Sequence, residues 1–304
     1  MLLSCGVSAI IHPGAFEPAA WHLGTLHEGP AVYAVMAVVL WGAADFAGGY
    51  GSRRANAFVL TAFSHICAFV WMMAIALNSH GEIPSRASIL WALLAGAVGG
   101  FSLAIFYGAL ASGQMGLTAP ISALIGAAIP TLAGIAMEGA PSRWTMAGFV
   151  LALLAIWLIT RPEGGAAEGR PAGVARAALA GVGFAGFYIF IHKATGSAAW
   201  VAAISRIGSF SATATAVLVT RAPIRLDRPR VALGAAAGFM DISASALFIV
   251  ASQHGRMDEA VVITSLYPAM TVLLARIVLK EHFSPWRFVG LLAALAAVPL
   301  IAAG

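Results

Sequence analysis

Residues 106–159, FYGALASGQMGLTAPISALIGAAIPTLAGIAMEGAPSRWTMAGFVLALLAIWLI, and residues 248–301, FIVASQHGRMDEAVVITSLYPAMTVLLARIVLKEHFSPWRFVGLLAALAAVPLI, are one pattern written twice. A shift of 142 positions superposes them with 18 of 54 residues identical. Alanine inflates such a count, so the rarer types carry the weight: Phe106/Phe248, Gly113/Gly255, Met115/Met257, Trp144/Trp286 and Gly148/Gly290. These pairs keep one register across two apolar stretches, each of membrane-spanning character. If each half of the chain holds five spans, an odd number, the second half enters the membrane from the opposite side. The result is an inverted repeat, the usual chassis of a secondary transporter.

Composition places the whole chain in a bilayer. Hydrophobic residues make up 61% and charged residues 10%, with a mean hydropathy of +0.90, against roughly half apolar and about a quarter charged in soluble domains. So little chain lies between the apolar stretches that no folded soluble domain fits there. The pI near 9.7 therefore points to basic cytoplasmic loops facing anionic headgroups rather than to nucleic acid. The two cysteines, Cys5 and Cys67, fall in an N-terminal tail and inside an apolar stretch, which argues against a mutual disulfide and gives no metal-ligand spacing. The tail carries three His, two Glu and no Lys or Arg in its first thirty residues. It lacks the basic start and apolar core of a signal peptide, nothing long enough to span precedes Cys5 as a lipoprotein would require, and the expectation is a poorly ordered tail or an over-long start.

Crossing a hydrocarbon core of about 30 Å takes about 20 helical residues. On that measure the chain divides into ten stretches, near 31–50, 57–78, 88–110, 115–137, 144–160, 172–192, 198–220, 231–252, 259–279 and 286–303. The runs are continuous rather than alternating, which selects helices over a barrel. The expected fold class is an all-α integral membrane protein of ten transmembrane helices in two inverted five-helix repeats. The expected organisation is a tail over 1–30, a first repeat over 31–160, a linker over 161–171 rich in helix breakers, and a second repeat over 172–303. Eleven Lys and Arg, Arg53, Arg54 and Arg221 among them, fall on one side of these spans, and only Arg86, Arg143, Lys193 and Arg256 on the other. By the positive-inside tendency the richer side is cytoplasmic and both termini lie outside.

The second half carries Asp258 through Arg276, reading DEAVVITSLYPAMTVLLAR, followed by Leu279-Lys280-Glu281-His282 and then Gly290. This closing signature resembles that of EamA-type members of the drug/metabolite transporter superfamily. The first half has a degraded counterpart in Pro120-Ile121-Ser122-Ala123-Leu124, Pro130-Thr131, Glu138 and Ser142, and Leu40-Trp41-Gly42 is similar to the opening of the family's first helix. The resemblance covers residues 31–303. It implies two five-helix halves around a central cavity and alternating access for amino acids, sugars, nucleotide precursors or drugs, often as export. It also implies cytoplasmic termini, opposite to the charge count, and membrane orientation stays open between the two.

A charge at mid-membrane depth costs about 2.5–3.5 kcal/mol, so each one calls for a partner or a task. Arg206 lies nine residues into span seven and Asp241 eleven residues into span eight, at matching depth in antiparallel neighbours. Three readings remain: a structural ion pair, a pair that a zwitterionic solute splits, or Asp241 as a proton carrier. Asp45, two thirds along span one, is either a cavity residue or an interfacial acid steadied by Arg53 and Arg54. His65 in span two could titrate near neutral pH or make one neutral interhelical hydrogen bond. Pro120, Pro130 and Pro268 remove backbone hydrogen bonds inside the duplicated spans four and nine and are candidate helix breaks. Close to them, Thr118, Ser122, Thr264, Ser265 and Tyr267 offer neutral hydrogen bonds. Trp41, Phe46, Trp71, Phe101, Tyr107, Tyr188 and Trp200 could wall an apolar cavity or anchor at the interface.

The expected function is a secondary transporter of small metabolites in the plasma (inner) membrane, an exporter of amino acids or similar polar solutes. Proton-coupled efflux of cationic drugs is the nearest rival, and a non-transporting sensor or assembly protein the rival from another class. No catalytic constellation and no phosphate-cradling loop is legible, so the expectation is no enzyme, no cofactor and no metal. The expected partners are a small-molecule substrate, the lipid bilayer and protons as coupling ion. A homodimer is left open.

Overall fold

An apolar run in lipid has one local way to satisfy its backbone, the α-helix. The computed structural model describes residues 29–79, 81–111, 115–160, 171–279 and 284–303, without the side chains of 110, 111, 115–120, 160 and 171–174. The tail with Cys5, most of the linker, Lys280 to His282, and the side chains of Thr118 and Pro120 lie outside that description. The described residues form eleven helices: α1 (Gly29–Ser52), α2 (Ala57–Asn78), α3 (Arg86–Ala111), α4 (Met115–Glu138), α5 (Arg143–Thr160), α6 (Pro171–Lys193), α7 (Ala198–Thr220), α8 (Arg228–His254), α9 (Met257–Thr264), α10 (Tyr267–Leu279) and α11 (Pro285–Ala302).

Nine spans among the described residues are long and apolar enough to cross a membrane, with α9 and α10 counted together as one. The apolar part of α5, Arg143–Ile159, is shorter, and at 1.5 Å per residue α5 reaches about 27 Å. The helix starts are read locally. Asn56 Oδ1 accepts from the backbone N–H of Phe58 and Val59 (3.0 and 3.3 Å), Ser142 Oγ from Trp144 and Thr145 (3.2 and 3.1 Å), and Asp227 Oδ1 from Arg230 (3.1 Å). Each supplies an acceptor for a first-turn donor that has no partner within its own helix.

The ninth span is interrupted, and its duplicate is not. After α9 the N–H of Ser265 reaches the Val261 carbonyl (2.9 Å) and that of Leu266 the Ile263 carbonyl (3.1 Å), and the N–H of Ala269 returns only to Leu266 (2.9 Å). Pro268 has no N–H to give to Thr264, so the tightened turn and the missing bond fall on the same residues. Of the three candidate helix breaks, only Pro268 stands at one. α4 runs unbroken through Pro120 and Pro130; a single missing bond bends a helix whose flanking turns stay regular.

The inverted symmetry is visible in close helix approaches. On α5, Gly148 packs against Ile301 and the Ala297 carbonyl of α11, and Gly290 of α11 packs against Leu158 and Ile159 of α5, a contact that maps onto itself under the 142-residue shift. Gly96 of α3 rests on the Ser205 carbonyl of α7, and Gly238 of α8 on the Ser64 carbonyl of α2. A side chain at either glycine would collide with that backbone. Likewise Gly181 of α6 meets Ser122 and Ile125 of α4, while Gly42 of α1 meets Tyr267 and Met270 of α10. These approaches leave small residues inside and large ones outside: Ala37, Ala95, Ala127, Ala202 and Ala244 are fully buried, whereas Leu218, Leu295, Val150 and Leu132 are among the exposed. Lipid rewards the second set as water would not, and close backbone packing rewards the first.

Candidate functional site

At mid-depth, eight of the ten spans converge on a cavity enclosing about 650 Å³ of non-atom space, its mouth included. Spans five and ten, which pack on each other, contribute nothing to its wall. The second repeat supplies a charged pair. Arg206 of α7 donates from Nη1 to Asp241 Oδ2 of α8 (2.5 Å) and from Nη2 to Ser245 Oγ (2.8 Å). The other oxygen of Asp241 accepts from Trp41 Nε1 of α1 (3.0 Å), and Ser245 closes the network by donating to the Asp241 carbonyl (2.9 Å). Arg206 is 3% exposed. Burying two charges is compensated only by such geometry, and removal of one partner from a buried pair typically costs about 3–5 kcal/mol.

A second carboxylate sits in the same wall with much less around it. Asp45, one turn beyond Trp41 on α1, is 7% exposed and accepts from the Tyr107 hydroxyl of α3 at 3.2 Å; the same hydroxyl lies 3.3 Å from the Ala44 carbonyl. No described cation pairs with it. Arg53 instead lies over the Tyr50 ring, its Cζ 5.7 Å from the centroid, so the interfacial arrangement of Asp45 with helix-end arginines does not occur. Gly48, one turn on, leaves the room that the Tyr107 ring fills.

The other wall is aromatic and hydroxylic. Trp41 meets Phe187, Tyr188 and Phe248 at centroid distances of 6.3, 5.8 and 5.8 Å, edge-on to the first two, as ring quadrupoles prefer. Tyr267 lines the cavity just past the break in span nine, with Ser265. Thr264 is fully buried but outside the wall: it donates to the Ala260 carbonyl of its own helix (2.7 Å) and faces Tyr188. Ser122 lines the cavity while donating to the Ala177 carbonyl (2.8 Å), which ties α4 to α6. His65 is 1% exposed, lines the cavity beside the Gly100 backbone, and has no well-formed hydrogen bond on either ring nitrogen; Arg206 Nε has none either.

Of the residues singled out in the sequence, Arg206, Asp241, Asp45, His65, Trp41, Ser122 and Tyr267 thus share one cavity. Pro130 and Pro268 flank it along their spans, next to lining residues Gly126 and Tyr267. Phe46, Trp71, Phe101 and Trp200 are not in its wall: Phe46 stacks on Tyr50, Trp71 packs on Phe239, Phe101 is 39% exposed, and Trp200 Nε1 holds the Gly81 carbonyl (3.0 Å). Ser245 and Ser209 escaped the sequence reading. The position of Ser245 one helical turn after Asp241 was the available signal. Among the described residues no cluster of His, Cys, Asp or Glu could hold a metal ion.

At one membrane face the two repeats are stapled where α4 ends and α9 begins. Arg256 holds Asp258 through Nε and Nη2 (3.0 and 2.8 Å) and the Gly139 carbonyl (2.6 Å), while Glu138 accepts from the Met257 N–H (3.1 Å). The hydrogen bonds to Asp258 raise the Arg256 pKa.

Comparison with known proteins agrees with this architecture. Eighteen chains of solved structures match. One of them, titled only "Crystal structure of protein", superposes with a TM-score of 0.69 at 15% identity, covering 89% of this chain and 95% of that one; it shows a shared fold. No curated protein matches the chain. The EamA-like transporter family matches twice, over residues 30–161 and 171–303. The protein is therefore a multi-pass integral membrane protein that belongs to the EamA-like transporter family, within the drug/metabolite transporter superfamily, whose members carry small solutes across membranes.

Proposed function

We propose that this transporter moves amino-acid-like zwitterions by alternating access of the mid-membrane cavity, with export as its direction. The observation that carries the reading is the unequal charge of the cavity wall: two carboxylates, Asp45 and Asp241, with one guanidinium, and that guanidinium already committed to Asp241. An α-ammonium group supplies the cation that Asp45 lacks, and Arg206 offers a fixed positive centre for the α-carboxylate. Replacement of the ammonium on Asp45 by a proton, once the solute has left, would couple transport to a proton gradient. The direction rests on the family resemblance in residues 258–290. The charged staple of Arg256, Glu138 and Asp258 supports alternating access, because it is the kind of contact that one repeat must break to rock against the other.

The excess negative charge together with Trp41, Phe187 and Tyr188 also favours a second reading, efflux of cationic drugs. Flux in vesicles containing only the purified protein separates the two. Saturable amino-acid flux that falls in Asp45→Asn and in Arg206→Lys supports the zwitterion reading, since lysine keeps the charge but not the fork. Flux of cationic dyes alone, indifferent to Arg206→Lys, replaces it with the second. Solute binding without flux would indicate a receptor rather than a transporter.

A further inference from the structure

The inverted repeat pairs two residues that the 142-residue register alone keeps apart. Gly96 of α3 rests on the Ser205 carbonyl and Gly238 of α8 on the Ser64 carbonyl. The glycines are related by the shift of 142, so these two contacts are the same contact in the two halves. The residue that follows each serine is Arg206 in one half and His65 in the other. Structurally, then, His65 and Arg206 are counterparts, one on α2 and one on α7, facing the cavity from opposite repeats.

Both carry poorly satisfied nitrogen. Nδ1 and Nε2 of His65 and Nε of Arg206 are buried without a well-formed hydrogen bond, the Gly100 backbone being close to the His65 ring, whereas buried polar atoms in folded proteins are almost always paired. An imidazole always presents at least one N–H, and the guanidinium Nε–H is always a donor. This part of the cavity therefore presents at least one donor from each repeat, and a carboxylate answers both with its two oxygens and with the negative charge that the guanidinium favours. Gly100 is what lets the ring sit there: a methyl group in its place would stand 2.7 Å from Ser209 and 3.0 Å from Nε2. In the second repeat the positions matching Gly99 and Gly100 are Asp241 and Ile242, so the acid that pairs with Arg206 has no side-chain counterpart beside His65.

We infer that His65 and the Nε edge of Arg206 form the seat of the transported solute's carboxylate, and that His65 sets the requirement for that group. This rests on the zwitterion reading. The test uses full-length protein in proteoliposomes, with each standard amino acid, its C-terminal amide, which lacks the carboxylate, and a simple monocarboxylate as competing solutes. Wild-type protein is expected to prefer acid over amide by about tenfold or more, the worth of one hydrogen bond to a charged group. His65→Phe, which keeps a ring without nitrogen, abolishes the preference, while His65→Asn, which keeps a donor, retains most of it; His65→Leu serves if the Phe variant does not purify. Wild-type preference surviving in both apolar variants overturns the proposal, as does equal loss in the Asn and the apolar variants, which marks a packing role. If the wild type carries the monocarboxylate but no amino acid, and the apolar variants lose it, the seat stands and the zwitterion reading falls. If no carboxylate-bearing solute is carried, both fall.

Discussion

Asp45 and Asp241 are two carboxylates in one cavity wall with opposite surroundings. Asp241 takes a guanidinium, an indole N–H and, through Ser245, a closed network; Asp45 takes one tyrosine hydroxyl. A carboxylate held by a guanidinium and an indole N–H is stable in the empty protein and is costly to disturb. A buried carboxyl held by one hydroxyl leaves its main interaction open to a proton or a ligand. The difference teaches that position along a span does not by itself mark a binding residue: two acids in one wall differ in how far the chain itself satisfies them, and the proposed function assigns the ligand to the poorly satisfied one.

The sharpest way to break this contrast is to bare Asp241. Arg206→Gln should lower stability by about 3–5 kcal/mol, read as a fall in the unfolding midpoint in detergent; a midpoint near that of the wild type would mean that Asp241 is neutralised by something other than Arg206. Asp45→Asn should do the reverse, leaving stability within about 1 kcal/mol of the wild type while weakening the apparent affinity for an ammonium-bearing solute, an interaction of about 1.5–3 kcal/mol. Equal destabilisation by both variants would erase the distinction. Trp41→Phe removes one of the neighbours of Asp241 and keeps the aromatic surface. It should cost about 1 kcal/mol of stability, and a loss as large as that of Arg206→Gln would make the indole, not the guanidinium, the main support. Tyr107→Phe is the smallest change. With the Asp45 oxygen free to turn toward solute, apparent affinity should shift by only about threefold, within the ~0.5–1.5 kcal/mol of one hydrogen bond; a change matching that of Asp45→Asn would show that Tyr107 fixes the carboxylate in its binding position.

Much of the architecture was legible from residue order. Continuous apolar runs gave the spans, the duplicated register gave the inversion, and the equal depths of Arg206 and Asp241 gave their pairing, since neighbouring antiparallel helices share depth by construction. Less of the site was legible. Asp45 lies near Arg53 and Arg54 in sequence but meets Tyr107, 62 residues away. His65 gave no sign of lacking partners, because a missing hydrogen bond is a property of what surrounds a side chain. Pro130 and Pro268 look alike in sequence, yet one lies inside an unbroken helix and the other at a break, since the outcome depends on whether the turns beside each proline stay regular.

By itself the sequence determined which segments are apolar enough to enter the membrane, where along its helix each polar side chain lies, and that the halves are oppositely inserted. These follow from one-dimensional quantities: hydrophobic length, helical rise and the parity of the span count. Only the tertiary structure decided which side chains face one another, so that Asp241 is satisfied, Asp45 almost bare, and His65 the counterpart of Arg206. The rotation of each helix about its axis is set by the close packing of glycine and alanine against neighbouring backbones, and a residue's position along the chain does not contain that angle.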